Sequence, residues 1–221
     1  MNFDGEMLFR DRADAGARLA QRLTAYRGIN ALVLGIPRGG VVVAAELARQ
    51  LGAELDVIVA RKLGSPVSAE LAIGAVTANG GRFLNTDVIE HLDVSEAYLD
   101  AVTKRERAEA RRREGLFRGA RPAPVVAGRT VILVDDGLAT GATMRAAARS
   151  LRQSGVGRLV VAVPVGSREA CAALRAEADE LVCLHAPEDF GAVGAYYEDF
   201  SQTEDEEVQR LLRDSATATP A

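Results

Sequence analysis

Only two cysteines stand in 221 residues, Cys171 and Cys183, and they share neither a CxxC spacing nor a histidine cluster. That scarcity argues against a disulfide framework or a zinc site, and two reduced, mostly buried thiols are expected. No uninterrupted apolar run approaches the ~18 residues that a membrane-spanning helix needs. The start Met1-Asn2-Phe3-Asp4-Gly5-Glu6 lacks the basic and apolar regions of a signal peptide, so the cytoplasm is the expected location. Positive charge is in deficit: 27 Lys and Arg against 31 Asp and Glu give a net charge of −4, the wrong sign for a general nucleic-acid binder. No apolar strand is followed by GxGxxG, which removes a dinucleotide-binding dehydrogenase, or by GxxxxGK[ST], which removes a P-loop triphosphatase.

With 48% hydrophobic residues the chain can bury one sizeable core. Apolar runs at 31–36, 55–61, 72–78, 131–135, 159–165 and 179–185 read as strands, and segments near 41–51, 142–153 and 167–177 have helical spacing. The alternation predicts a single α/β domain over 1–213, with a central, mostly parallel sheet flanked by helices and right-handed crossovers. Asp11 to Tyr26 is an amphipathic helix with Leu19 and Leu23 on one face. The interval 79–128 breaks the alternation as a helical and hairpin insertion. Asn79-Gly80-Gly81 predicts a hairpin turn into Arg82-Phe83-Leu84-Asn85, and Ser95-Glu96 opens a helix to about Leu116. Thr203 to Val208 starts a short final helix with acids at its favourable end, and 214–221 is expected to be disordered.

The most informative stretch is Val131-Ile132-Leu133-Val134-Asp135-Asp136-Gly137-Leu138-Ala139-Thr140-Gly141-Ala142-Thr143. Four branched apolar residues read as a strand buried on both faces, and two carboxylates follow at its carboxyl end, where open α/β sheets bind ligands. The small-residue turn then enters an alanine-rich helix. A strand, such a turn and a helix start make a phosphate cradle of free N–H groups and the positive end of the helix dipole. Asp135 and Asp136 cannot bind that phosphate, so they are expected to face hydroxyls or a cation. A phosphorylated sugar satisfies both halves.

This stretch resembles the ribose-5-phosphate motif of the type I phosphoribosyltransferases. The resemblance implies that Asp135 and Asp136 hold ribose hydroxyls of phosphoribosyl pyrophosphate (PRPP), and that Ala139, Thr140, Gly141, Ala142 and Thr143 hold its 5′-phosphate. Ala142 departs from the second glycine of many members. A second turn, Pro37-Arg38-Gly39-Gly40, follows the apolar run Ala31 to Ile36 and precedes the helix-like Val41 to Leu51. Its glycines allow close approach to a ligand and Arg38 is a five-donor fork suited to phosphate. Similarity to the family makes this the pyrophosphate loop and implies a cis Pro37-Arg38 peptide. Arg61-Lys62, read at the carboxyl end of the 55–61 strand, would neutralise departing pyrophosphate. They precede a Gly-, Ser- and Pro-containing segment, Leu63 to Glu70, that in relatives closes over the site. A solvated pair at a strand end, and a surface or capping Glu70, explain the same residues.

Other features stay open in the sequence. Lys104 to Glu114, with Arg118 and Arg121 after it, reads either as a solvated face laced with ion pairs or as a surface for the anionic substrate or a partner subunit. RNA is disfavoured because no aromatics alternate with the charges. Phe190, Tyr196, Tyr197 and Phe200 fit core packing or a C-terminal hood over a flat heterocycle. His185 reads as structural or as a base at a strand end, and His91 has no supporting feature.

The family resemblance implies a transferase that uses PRPP and Mg²⁺, with Asp135, Asp136, Arg38 and Lys62 carrying catalysis. Asp135 and Asp136 would meet Mg²⁺ directly or through water. The acceptor would be a nitrogen atom of a small heterocycle, such as a nucleobase, and the protein would be a homodimer. The competing reading is a regulator that senses PRPP or a nucleotide without turnover.

Overall fold

The computed structural model describes residues 8–69 and 71–218. Elements follow in the order α1 (Arg12–Arg22), β1 (Leu32–Gly35), α2 (Gly39–Leu51), β2 (Glu54–Val57), β3 (Ala60–Gly64), β4 (Ala72–Thr77), β5 (Arg82–Leu84), α3 (Thr86–His91), α4 (Glu96–Arg118), β6 (Thr130–Val134), α5 (Ala142–Gln153), β7 (Arg158–Val165), α6 (Arg168–Arg175), β8 (Glu180–His185) and α7 (Asp205–Ala218). Among the described residues, no helix is long and apolar enough to cross a membrane.

Residues 131–134 are buried on both faces, as their branched side chains require. They form the middle of a parallel sheet in the order β2-β1-β6-β7-β8. Along each strand alternate side chains enter two different cores. Val33, Ile132 and Val160 pack with α1, α2 and α7, while Leu32, Leu133 and Val161 pack with α5 and α6. The chain moves outward from β1 to β2 and then returns to the other side of β1 to lay down β6. The strand order therefore reverses between β1 and β6, and loops leaving such a pair diverge into a crevice. The register aligns Gly35 with Val134, so the turns after β1 and β6 start level with each other.

Two strand expectations need correction. The run 55–61 is not one strand: β2 ends at Val57, and β3 leaves the parallel sheet to pair antiparallel with β4, which pairs with β5. The 72–78 run therefore belongs to this second, three-stranded sheet and not to the parallel one. The diversion is held by buried polar groups. Asp56, 1% exposed, accepts hydrogen bonds from the Val57 N–H at 2.6 Å and from Arg118 Nε at 2.9 Å. Arg118 also donates to the Val57 carbonyl at 2.7 Å, and Glu114 accepts from the Val59 N–H at 3.1 Å. These bonds satisfy the backbone where the chain turns away from the sheet.

The hairpin forms as read, with Gly80 at φ 96° and the Thr77 N–H donating to the Gly81 carbonyl. Ser95 caps α4 by accepting from the Tyr98 N–H, and the helix runs two residues past the expected end. Its basic half is largely structural. Arg107 and Arg111 donate to the Ala78 carbonyl, Arg107 also to that of Asn79, Arg112 pairs with Glu109, and Arg113 reaches Asp205. Arg118 closes α4 itself, and Arg121 donates to the carbonyls of Leu55 and Leu212.

The expected disordered tail is also corrected in part: residues 214–218 continue α7, whose Val208 and Leu212 are buried against the first core. Residues 219–221 of that tail lie outside the described residues. Cys171 is buried, Cys183 half-buried, and both are free.

Candidate functional site

The turns after β1 and β6 meet as the register requires. The Ile36 N–H donates to the Val134 carbonyl at 2.9 Å, the last bond before the two chains diverge. The Pro37-Arg38 peptide is cis, as the resemblance implied. α2 then begins against the acid pair with no room for a side chain. A Cβ on Gly40 would stand 2.8 Å from Asp135 Cα and Oδ1, and one on Gly39 would overlap Asp136 Oδ2. Gly39→Ala is accordingly expected to displace the Asp136 carboxylate. Ligand affinity at this site should fall at least about tenfold, the scale of one lost charged hydrogen bond. Fluorescence-monitored denaturation alongside a binding titration checks this, and unchanged affinity in a folded variant would contradict the packing argument.

Each carboxylate has one oxygen committed within the protein. Asp135 Oδ1 accepts from the Asp136 N–H at 2.9 Å, and Asp136 Oδ2 accepts from Arg12 Nε at 2.8 Å. Burial, followed by the neighbouring Asp136 charge, pushes the Asp135 carboxyl well above the usual carboxylate range; the Asp136 N–H and Arg12 oppose this. The buried Tyr197 hydroxyl donates to the Asp136 carbonyl at 2.6 Å, and its burial raises the phenol above its ordinary value.

After the acids, the turn is pinned to β7. The Leu138 N–H donates to the Val165 carbonyl, the Ser167 N–H to the Leu138 carbonyl at 2.8 Å, and Ser167 Oγ to the Ala139 carbonyl at 2.8 Å. Gly141 caps α5 at φ 75°, a left-handed conformation that explains the glycine. Among the described residues, no side chain hydrogen-bonds to this cap. The first turn of α5 therefore presents N–H groups and the positive dipole end at Ala142 and Thr143, with Ala139 and Thr140 exposed beside it.

The cationic residues are arranged differently from the sequence reading. Arg38 lies 3.6 Å from Glu204 and 3.7 Å from Asp205 at the start of α7. Arg61 and Lys62 lie within β3 rather than at the edge of the parallel sheet. Arg61 pairs with Glu106 at 3.2 Å, and Lys62 is exposed. They still share a groove with the end of the 139–143 turn: about 680 Å³ is lined by Arg61, Lys62, Arg105 and the 65–69 loop together with Thr143. Glu70 lies outside the described residues.

The aromatic segment packs over the acid-bearing turn. Val193 leaves no space for a Cβ on Gly137, Phe190 stacks on Tyr196 at 5.8 Å, and Tyr197 contacts Phe9 and Phe200. His185 sits 5.7 Å from the Tyr196 ring, a packing role. Sequence reasoning missed Arg12 and the Tyr197 bond. Arg12 left one signal: a cation in the first turn of a helix opposes the dipole, so a tertiary partner is needed to offset it.

Among the described residues, no group of three metal-ligating side chains gathers at one point. The site nonetheless suits Mg²⁺ that arrives with a substrate, because such an ion takes one or two carboxylates and completes its shell with phosphate oxygens and water.

Residues 6–201 match the family model described as a phosphoribosyl transferase domain. A putative phosphoribosyl transferase of Mycobacterium tuberculosis (strain H37Rv) is 47% identical over 205 residues, which cover 93% of this chain and 46% of the relative. The chain thus spans about half the length of the curated relatives it matches. A solved structure, TT1426 from Thermus thermophilus, is 48% identical with a TM-score of 0.80, covering 93% of this chain and 98% of that one.

Proposed function

We infer, for a chain that belongs to the phosphoribosyl transferase family, that it moves the phosphoribosyl group of PRPP to a nitrogen atom of a small heterocycle and releases pyrophosphate. The observation that carries this reading is the meeting of two turns at the β1/β6 reversal. There the paired acids stand against the start of α2, and the turn that follows them leads into α5, whose N-cap Gly141 has no side-chain hydrogen bond.

In the reaction, the bond from ribose C1 to the pyrophosphate oxygen breaks and a bond from C1 to the acceptor nitrogen forms. Asp135 and Asp136 would take the sugar hydroxyls on Asp135 Oδ2 and Asp136 Oδ1. Ala139 to Thr143 would take the 5′-phosphate on backbone N–H groups and on the Thr140 and Thr143 hydroxyls. Gly39 and Gly40 would let the leaving phosphates approach the backbone, with Arg38, Arg61 and Lys62 supplying positive charge. Mg²⁺, held by Asp135 and Asp136 directly or through water, would neutralise the pyrophosphate. Charge develops on the leaving group and on an oxocarbenium-like sugar, so positioning and electrostatics would supply most of the acceleration.

Lys62→Ala is expected to lower turnover about tenfold or more, since its ammonium has a role only as charge builds on pyrophosphate. Steady-state kinetics check this; a change confined to KM would instead assign Lys62 to ground-state binding. A sensor that binds PRPP without turnover is favoured by one observation, the engagement of Arg38 and Arg61 by Glu204, Asp205 and Glu106. A pyrophosphate-release assay with Mg²⁺, PRPP and a panel of purines, pyrimidines and small aromatic bases separates the two readings. Release with one base is expected; binding without release for any base favours the sensor.

A further inference from the structure

Among the described residues, the one charged side chain that reaches the acid pair from outside the motif is Arg12, and it does more than neutralise. Its Nε donates to Asp136 Oδ2 at 2.8 Å, its Nη1 donates to the Ser201 carbonyl at 2.7 Å, and its Cζ stands 3.9 Å from the centre of the Phe200 ring. The side chain is 11% exposed, in contrast to Arg18 on the same helix, which is 48% exposed and pairs with Asp14. A Cβ on Gly39 would also fall 2.5 Å from Arg12 Nε, so the start of α2 is shaped around the guanidinium as well as the carboxylate. A cation at the first position of a helix is unfavourable toward the dipole, and ordering a long side chain costs entropy. The Asp136 bond, the Ser201 bond and the Phe200 face offset both.

We propose that Arg12 is a positioning residue of the sugar site, which fixes the rotamer of Asp136 so that Oδ1 is presented to the ligand, and which ties that carboxylate to the 200–201 segment of the hood. The inference rests on the reading of Asp135 and Asp136 as the ribose-binding acids. Arginine suits the task because its planar fork serves two acceptors at a fixed angle while its face lies on an aromatic ring. A lysine would keep the charge but has neither the planar fork nor a flat face to lay on the ring.

The test is calorimetric titration of PRPP in the presence of Mg²⁺ into the wild type, Arg12→Gln, Arg12→Lys, Asp136→Asn and the Arg12→Gln/Asp136→Asn double variant, with Arg18→Ala as control. Arg12→Gln is expected to weaken binding about 10- to 100-fold, the range for losing a charged hydrogen bond, and Arg12→Lys to recover part of the loss. Because Arg12 acts through Asp136, the double variant should bind about as weakly as Asp136→Asn alone, whereas independent sites would multiply their losses. Arg18→Ala should bind as the wild type does. A purely structural role for Arg12 would lower the melting temperature and leave affinity unchanged, and that result overturns the proposal while the sugar-site reading stands. Multiplying losses also overturn it. Failure of the wild type to bind overturns the sugar-site reading, and the ligand role of Arg12 with it.

Discussion

Asp136→Asn is expected to weaken binding of PRPP with Mg²⁺ by about two orders of magnitude, or ~3 kcal/mol, in a protein that remains folded. Asp136 holds the Arg12 guanidinium through Oδ2, and on the proposed reading the same charge would offer Oδ1 to the ligand. An amide keeps the shape but has one carbonyl oxygen, and its NH₂ cannot accept a hydrogen bond from either side. In either orientation it leaves a largely buried guanidinium without its anion, and one orientation also turns its NH₂ toward the guanidinium while the other turns it toward the ligand. Isothermal titration reads the affinity and thermal unfolding reads the fold. An affinity unchanged within a factor of two would remove Asp136 from the ligand site.

The largest expected stability effect lies far from the ligand. Asp56→Ala should cost about 3–5 kcal/mol, the usual scale for removing one partner of a buried, hydrogen-bonded ion pair. Asp56 is 1% exposed, bonded to Arg118 at 2.9 Å and lies 3.7 Å from Arg121. Its loss removes one of the two anions that Arg118 engages, the other being Glu114 at 2.9 Å, at the point where the chain leaves the parallel sheet. Urea unfolding measures the change, with an unaltered slope marking an intact native state. Because β3 begins three residues past Val57, the same variant should loosen the placement of Arg61 and Lys62. A loss under about 1 kcal/mol would mean that apolar packing alone makes the junction.

The pattern of these effects explains what the sequence reveals and what it withholds. Residues 131–134, an unbroken branched run, can sit only in a strand covered on both sides, and Asn79-Gly80-Gly81 supplies the positive φ that a tight hairpin needs. Such signals are local. The break between Val57 and Ala60 is not, since the apolar pattern runs on through Ala60 and the chain is turned by Arg118, 62 residues beyond Asp56. The continuation of α7 past Arg213 depends on the anchorage of Val208 and Leu212, with an Arg210–Asp214 pair one turn apart on its surface. Composition alone favours an unstructured tail there.

The same division applies to the site. The motif at 131–143 and the two glycines at 39–40 are legible because each demands a particular backbone or a particular side-chain chemistry within a few residues. The partners of the cations are set by tertiary distance: Arg38 meets the start of α7, and Arg61 meets Glu106 of α4. Arg12 lies 124 residues from the acid it holds. No spacing rule links such pairs; what the level ends of β1 and β6 bring together is the 37–40 turn and the turn that begins at Asp135.

The most direct test of the central claim is a crystal structure of the protein with PRPP and Mg²⁺. The 5′-phosphate is expected on the backbone N–H groups of residues 139–143, the ribose hydroxyls on Asp135 and Asp136, and the pyrophosphate between the 37–40 turn and the groove that holds Arg61 and Lys62. PRPP bound elsewhere, or a turn at 139–143 left without phosphate at saturating ligand, would contradict that claim.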